Sequence, residues 1–185
     1  MEAFLSSTLA VALAEVGDKT QLLSLFLAAR FSQRYSIIAA IFVATLINHG
    51  LSAWLGVYIT QFIPAQWISY IVAGSFIGVG LWLLIPDKDD EEDSQYLRLG
   101  AFMATLILFF LAEIGDKTQI ATVILAARYD ATFWVVAGTT VGMLLANVPV
   151  VYAGQWLMGK LPLDIFRKSA CVVFIALGIA ALFSA

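Results

Sequence analysis

Cysteine and histidine are almost missing from this chain: there is one of each, Cys171 and His49. A single cysteine excludes an internal disulfide and a thiolate cluster. A single imidazole argues against a His-rich zinc or copper centre within one chain. Charge is scarce too, at 12% of residues against about 25% in a typical soluble domain. The net charge of −3 leaves nothing to suggest a nucleic-acid partner. No His-Glu-x-x-His occurs, no Ser–His pairing stands out, and the acids flank no nucleophile, so neither an enzyme nor a cofactor is expected. The amino terminus, Met-Glu-Ala-Phe, lacks the basic segment of a cleaved signal peptide, and the first apolar run is expected to stay as a helix.

What the chain has in excess is apolar sequence, 62% of residues with a mean hydropathy of +0.93. It falls into six segments, at 3–30, 35–62, 67–85, 98–127, 132–158 and 165–184. A helix needs about 20 apolar residues to cross a bilayer. The segments therefore predict an all-α integral membrane protein with six transmembrane helices. At about 1.5 Å per residue the first segment exceeds a hydrocarbon core of roughly 30 Å. It must tilt, protrude or break, and Gly17 is the weak point. Trp54, Trp67, Trp82, Trp134 and Trp156 mostly fall near predicted ends and read as anchors at the lipid interface. Cys171 reads as core filling.

One hydrophilic stretch, Asp-Lys-Asp-Asp-Glu-Glu-Asp from Asp87, divides the chain into a first three-helix repeat (1–86), an acidic linker (87–97) and a second repeat (98–185). Shifted by 98 residues, positions 13–31 align with 111–129, and twelve of those nineteen are identical. Three spans per repeat is odd, so the second repeat is expected to be inverted in the membrane. With the amino terminus outside, the cytoplasmic side holds Arg30, Arg34, Lys88, Arg98, Lys160, Arg167 and Lys168, against Arg128 alone outside. Positive charge favours the cytoplasmic side. Both termini are therefore expected outside a cell (inner) membrane, with the linker in the cytoplasm. The linker itself reads as a solvated tether more readily than as a metal sensor.

The repeats share one motif. Residues 15–21 read Glu-Val-Gly-Asp-Lys-Thr-Gln and residues 113–119 read Glu-Ile-Gly-Asp-Lys-Thr-Gln, each amid an apolar run. Ionisable residues at such a depth are costly and usually mark an ion or substrate pathway. Inverted repeats with polar groups near the midplane of matching helices are a transporter pattern. Their axis brings segments one and four together and joins the motifs in one site. On a continuous helix, Glu15 and Asp18 share a face, as do Glu113 and Asp116. Four carboxylates from two crossing helices can surround a cation. Thr20, Gln21, Thr118 and Gln119 are further oxygen donors, and Asn48 and Asn147 offer more from neighbouring segments. Such an all-oxygen shell suits Ca²⁺, Mg²⁺ or Mn²⁺, and ligand type alone does not choose among them.

Lys19 and Lys117 reduce the charge of the four carboxylates to two negative charges, which one divalent ion or two protons would balance. This predicts exchange of a metal ion for protons. Each lysine is expected to hold the glutamate four residues before it when the site is empty. Gly17 and Gly115 permit close helix approach or local unwinding. Gly74 with Gly78, and Gly138 with Gly142, read as helix packing only.

The doubled motif Glu-φ-Gly-Asp-(Lys/Arg)-(Thr/Ser), φ being apolar, resembles that of the Golgi cation/proton antiporters and their bacterial manganese-exporting relatives. The resemblance covers the whole chain, and neither copy departs from the pattern. It implies export of Mn²⁺, or Ca²⁺ in some members, in exchange for protons. The residues carried over are Glu15, Gly17, Asp18, Lys19 and Thr20, then Glu113, Gly115, Asp116, Lys117 and Thr118.

Plainer readings stand beside these. Glu15–Lys19 and Glu113–Lys117 can be read as structural ion pairs, which leaves Asp18 and Asp116 unexplained. Asn48 and Asn147 can be interhelical hydrogen-bonders, and His49 either a proton relay or a lone interface residue. The competing functions are export of a small cationic or zwitterionic solute, metal uniport without proton coupling, and a structural scaffold.

Overall fold

The computed structural model describes residues 1–85, 96–158 and 163–183, and every regular element among them is helical. In chain order they are α1 (Glu2–Glu15), α2 (Lys19–Arg30), α3 (Arg34–Thr60), α4 (Ala65–Trp82), a single 3-10 turn at Tyr96–Leu99, α5 (Gly100–Glu113), α6 (Lys117–Tyr129), α7 (Thr132–Met158) and α8 (Leu163–Leu182). Apart from Tyr96 and Leu97, the acidic linker at 87–97 lies outside the described residues, as do Lys88, Lys160 and Pro162. The first and fourth apolar segments are each two consecutive helices rather than one. The break expected at Gly17 is present, and Gly115 makes a second.

Local chemistry sets the other boundaries. Pro64 caps α4, where its missing N–H costs nothing. Asp130 ends α6 in the left-handed region at φ 45°, a conformation that Asp tolerates better than most residues. Inside α7, Pro149 removes the donor that would pair with the Leu145 carbonyl, and Gly154 leaves helical geometry at φ 55°, ψ −141°.

The halves interlock by exchanging partners. Helix α1 packs on α7 as α5 packs on α3, and α2 packs on α7 as α6 packs on α3. The pairs α3–α7 and α4–α8 close the arrangement. Glycines let the backbones approach. A Cβ on Gly138 would stand 2.5 Å from the Phe4 carbonyl oxygen, and one on Gly142 would stand 2.7 Å from that of Thr8. The expected packing role of Gly138 and Gly142 is thus seen at the α1–α7 contact. Gly74 and Gly78 are different, because each faces open space. Helices α4 and α8 meet instead through Gly80, which faces Phe174, and Gly178, which faces the Ala73 carbonyl.

The distribution of polarity is inside out for a water-soluble fold. Leu5, Leu9, Phe42, Leu46, Leu51, Leu145 and Val172 are exposed, while Glu15, Asp18, Glu113, Asp116 and Lys117 are buried. Large apolar surfaces of this kind need a partner or a lipid environment. Three helices among the described residues, Arg34–Thr60, Tyr96–Glu113 and Thr132–Gly154, are long and apolar enough to cross a membrane. Gln66–Trp82 and Lys168–Leu182 are shorter apolar helices. Trp54, Trp67 and Trp134 are exposed. Cys171 is buried, as core filling requires.

Candidate metal centre

Each motif folds as a turn between two helices, and its residue types follow from that turn. After Glu15, Val16 takes φ −67°, ψ 115° and Gly17 takes φ 83°, while the Asp18 N–H donates to the Glu15 carbonyl at 3.1 Å. These are the marks of a type II turn, which needs a positive φ at its third residue and so favours glycine there. The second copy repeats it with Ile114 at φ −64°, ψ 119°, Gly115 at φ 75°, and the Asp116 N–H donating to the Glu113 carbonyl at 3.1 Å. Each aspartate then caps the following helix. Asp18 Oδ1 accepts from the Lys19 N–H at 2.6 Å, and Asp116 Oδ2 accepts from the Thr118 N–H at 3.3 Å and its hydroxyl at 3.0 Å. The glutamines close the break from the other side. Gln21 Oε1 accepts from the Gly17 N–H at 2.8 Å and Gln119 Oε1 from the Gly115 N–H at 2.7 Å.

The glutamate and aspartate of a motif therefore do not share a helical face. They stand on opposite sides of a break, the glutamate ending one helix and the aspartate starting the next. Glycine forces this by admitting the left-handed turn that a continuous helix excludes.

The turns bring both halves to one place. Carboxylate oxygens of Glu15, Asp18 and Asp116 lie within 4.8 Å of one another, and all three residues are buried. Glu15 also accepts a hydrogen bond from the Thr20 hydroxyl through Oε2, while its Oε1 has no hydrogen-bond partner. Glu113 is fully buried, neither of its carboxylate oxygens accepts a hydrogen bond, and Oε2 lies 3.4 Å from His49 Nε2. A buried carboxylate without partners is costly, and a cation is what such oxygens fit. Asp18 and Lys117 line one notch together with Val16, Gly17, Leu83 and Ile85.

The lysines reach elsewhere than expected. Lys19 Nζ stands 3.7 Å from Asp116 Oδ1 in the other half, not on Glu15. Lys117 Nζ donates to the Ile85 carbonyl at 2.9 Å and lies over the Trp82 ring. The stem between charge and backbone is long enough to cross the break, so spacing along one helix does not decide its partner.

The amides are largely committed to structure. Gln21 Nε2 donates to the Ala146 carbonyl at 2.8 Å, beside the donor gap left by Pro149. Asn48 Nδ2 donates to the Phe110 carbonyl at 3.1 Å. Asn147 Oδ1 accepts from the Ser24 hydroxyl at 2.8 Å, and its Nδ2 donates to the Met143 carbonyl at 3.1 Å. The interhelical reading of Asn48 and Asn147 thus matches their contacts.

A family model described as "Divalent cation/proton antiporter GDT1" matches residues 3–91 and 101–185, nearly the whole chain. The chain belongs to the GDT1 family. Among relatives, a Vibrio cholerae protein named "Putative manganese exporter" is 53% identical over 174 residues, covering 94% of this chain and 86% of its own length. A GDT1-like protein of Synechocystis is 29% identical over 182 residues, 87% of each chain. GDT1-like protein 5 of Arabidopsis thaliana is 28% identical over 220 residues, with 98% and 96% covered. No solved structure matches.

As a member of a cation/proton antiporter family with apolar helices of spanning length, the chain is a membrane transporter and not an enzyme. Within the GDT1 motif, the local sequence carried more than acid spacing conveyed. Asp-Lys-Thr-Gln is a helix-start signal, a capping aspartate with Gln three residues on, and the preceding glycine is the turn residue. Those local signals encode both the break and the separation of Glu from Asp. The approach of His49 to Glu113 had no such signal, because it depends on how α3 packs against α5.

Proposed function

We propose that this GDT1-family chain exports Mn²⁺, with Ca²⁺ as the second candidate substrate, in exchange for protons through one site built by both motifs. The observation that carries the reading is the convergence of Glu15, Asp18 and Asp116 from two halves of the chain onto a space of 4.8 Å. Their donors are all carboxylate oxygen, the chemistry preferred by hard divalent cations. Glu113, which is not among those three and lies beside His49, is the fourth motif acid, and with Lys19 and Lys117 the motifs carry two negative charges for one metal ion or two protons. Broken helices at the centre suit this task. The carbonyl ends of α1 and α5 favour a cation, while the N-terminal ends of α2 and α6 favour the aspartates that cap them.

Reciprocal packing of α1 on α7 and α5 on α3 supports two inverted three-span repeats, 1–86 and 98–185, joined by the cytoplasmic linker 87–97. In this topology both termini lie outside the cell membrane. Metal binds from the cytoplasm, Lys19 gives up Asp116 to it, and protons arriving from outside displace it by neutralising the carboxylates. The choice of Mn²⁺ is supported by the manganese-exporter name of the Vibrio cholerae relative.

The test is Mn²⁺ flux in proteoliposomes under an imposed pH gradient, with Ca²⁺ in parallel and with Glu15→Gln, Asp18→Asn, Glu113→Gln and Asp116→Asn. Mn²⁺ movement opposed by protons, near two per metal and lost in the four variants, is the expected result. Flux indifferent to the pH gradient would replace exchange by uniport. Full activity in all four variants would remove the site.

A further inference from the structure

His49 does not behave like a passive core residue. It is fully buried in the middle of α3, and neither ring nitrogen has a hydrogen-bond partner. Its Nε2 is 3.4 Å from Glu113 Oε2, itself without a hydrogen bond. Buried polar groups are normally satisfied, so an imidazole and a carboxylate left open toward each other call for a common partner. Two donors bound side by side to one divalent ion at about 2.1–2.5 Å lie roughly 3.0–3.5 Å apart, a range that contains the observed separation.

The other half of the chain shows what this position looks like when it is only structural. A shift of 98 residues places Asn147 opposite His49. Asn147 is buried as well, but its amide is engaged at both ends, by Ser24 and by Met143. The repeats match in their acids and differ here, where one half holds a satisfied amide and the other an open nitrogen base.

We infer that His49 is a ligand of the transported cation, acting with Glu113 as the nitrogen-bearing side of the site and selecting Mn²⁺ over Ca²⁺. This rests on the export reading above. Carboxylates serve Ca²⁺ and Mn²⁺ alike, whereas imidazole nitrogen is a donor for transition metals and a poor one for Ca²⁺. A single nitrogen in an oxygen shell is enough to separate the two ions without making a zinc or copper centre, which would demand more nitrogen or sulfur.

Because the chain has only one histidine, a tag-free preparation tests this directly. Pulsed electron paramagnetic resonance of Mn²⁺ bound to the detergent-solubilised full chain should show nitrogen modulation. That modulation should change when histidine carries the heavier nitrogen isotope. In competition binding, His49→Asn, which imports the residue of the other half, should lower the preference for Mn²⁺ over Ca²⁺ by about tenfold, the low end for loss of a partner in a metal site. Bound Mn²⁺ with an oxygen-only spectrum, insensitive to the isotope, would overturn the role of His49 and leave the carboxylate site standing. Absence of any bound Mn²⁺ would overturn the export reading and this one together. His49→Gln gives a second variant should His49→Asn fail to fold, and unchanged selectivity in a folded variant would refute the assignment.

Discussion

Replacing Gly115 by alanine isolates the conformational demand of the motif from its packing. The residue sits at φ 75°, and a Cβ built on it meets nothing within 4 Å. The cost is therefore backbone strain alone, about 1–2 kcal/mol for a side chain in the left-handed region. For a chain of this length each kcal/mol lowers the melting temperature by about 2–4 °C, so Gly115→Ala should melt roughly 2–8 °C below the parent. Asparagine tolerates the left-handed region better, so Gly115→Asn should fall between the two. Gly50 supplies the control, being helical and equally open. There alanine should hold or raise stability, since glycine in a helix interior costs roughly 0.5–1 kcal/mol. Thermal unfolding in detergent, followed by circular dichroism, reads all three. If Gly115→Ala melts with or above the parent while Gly50→Ala behaves as expected, residue 115 is not left-handed in the folded protein. The two-helix reading of segment four would then fail.

Two other substitutions probe the centre from different sides. Gly138→Ala would push a Cβ to within 2.5 Å of the Phe4 carbonyl, a backbone atom that cannot swing away. It should destabilise the α1–α7 contact by about 1–3 kcal/mol, and the same melting assay would refute this by showing no loss. Lys19→Gln removes the ammonium that stands 3.7 Å from Asp116. Isothermal titration should then show tighter Mn²⁺ binding by about tenfold, equal to roughly 1.4 kcal/mol, because the site no longer holds a competing cation. Unchanged or weaker binding would mean that Lys19 positions Asp116 rather than competing for it.

Segment boundaries were legible in the sequence because proline, glycine and apolar run length act locally. The limits of α3, α4, α7 and α8 lie within three residues of those expected. The repeat was legible for a similar reason, since identity at a fixed shift needs no knowledge of packing. The polar motif, by contrast, is not a stretch of helix. Apolar residues on both sides implied continuity, yet Gly17 and Asp18 encode a turn and a cap that override it. Helical spacing pairs Lys19 with Glu15, whereas in the folded chain it spans to Asp116. That partner became near only after the halves had folded together, which no local rule contains. The same applies to Gly74 and Gly78, whose spacing suits helix packing but whose faces meet nothing within 4 Å.

The broken helices also give a reason for the motif to occur twice, with six of its seven residues identical. A single Glu-φ-Gly-Asp turn presents one carboxylate at a helix end and one at a helix start, an incomplete shell for a divalent ion. In the proposed site two turns together supply the acids, and the contact of Lys19 with Asp116 links one half of the chain to the other. If Asp116 takes the metal ion as proposed, the ion competes with an ammonium that belongs to α2, on the opposite half. Binding would then bear on the contact between the two halves rather than on one helix alone. An alternating-access transporter must move the contact between its halves, and on the export proposal the crossed lysine would couple the ion to that motion through a single pair of charges.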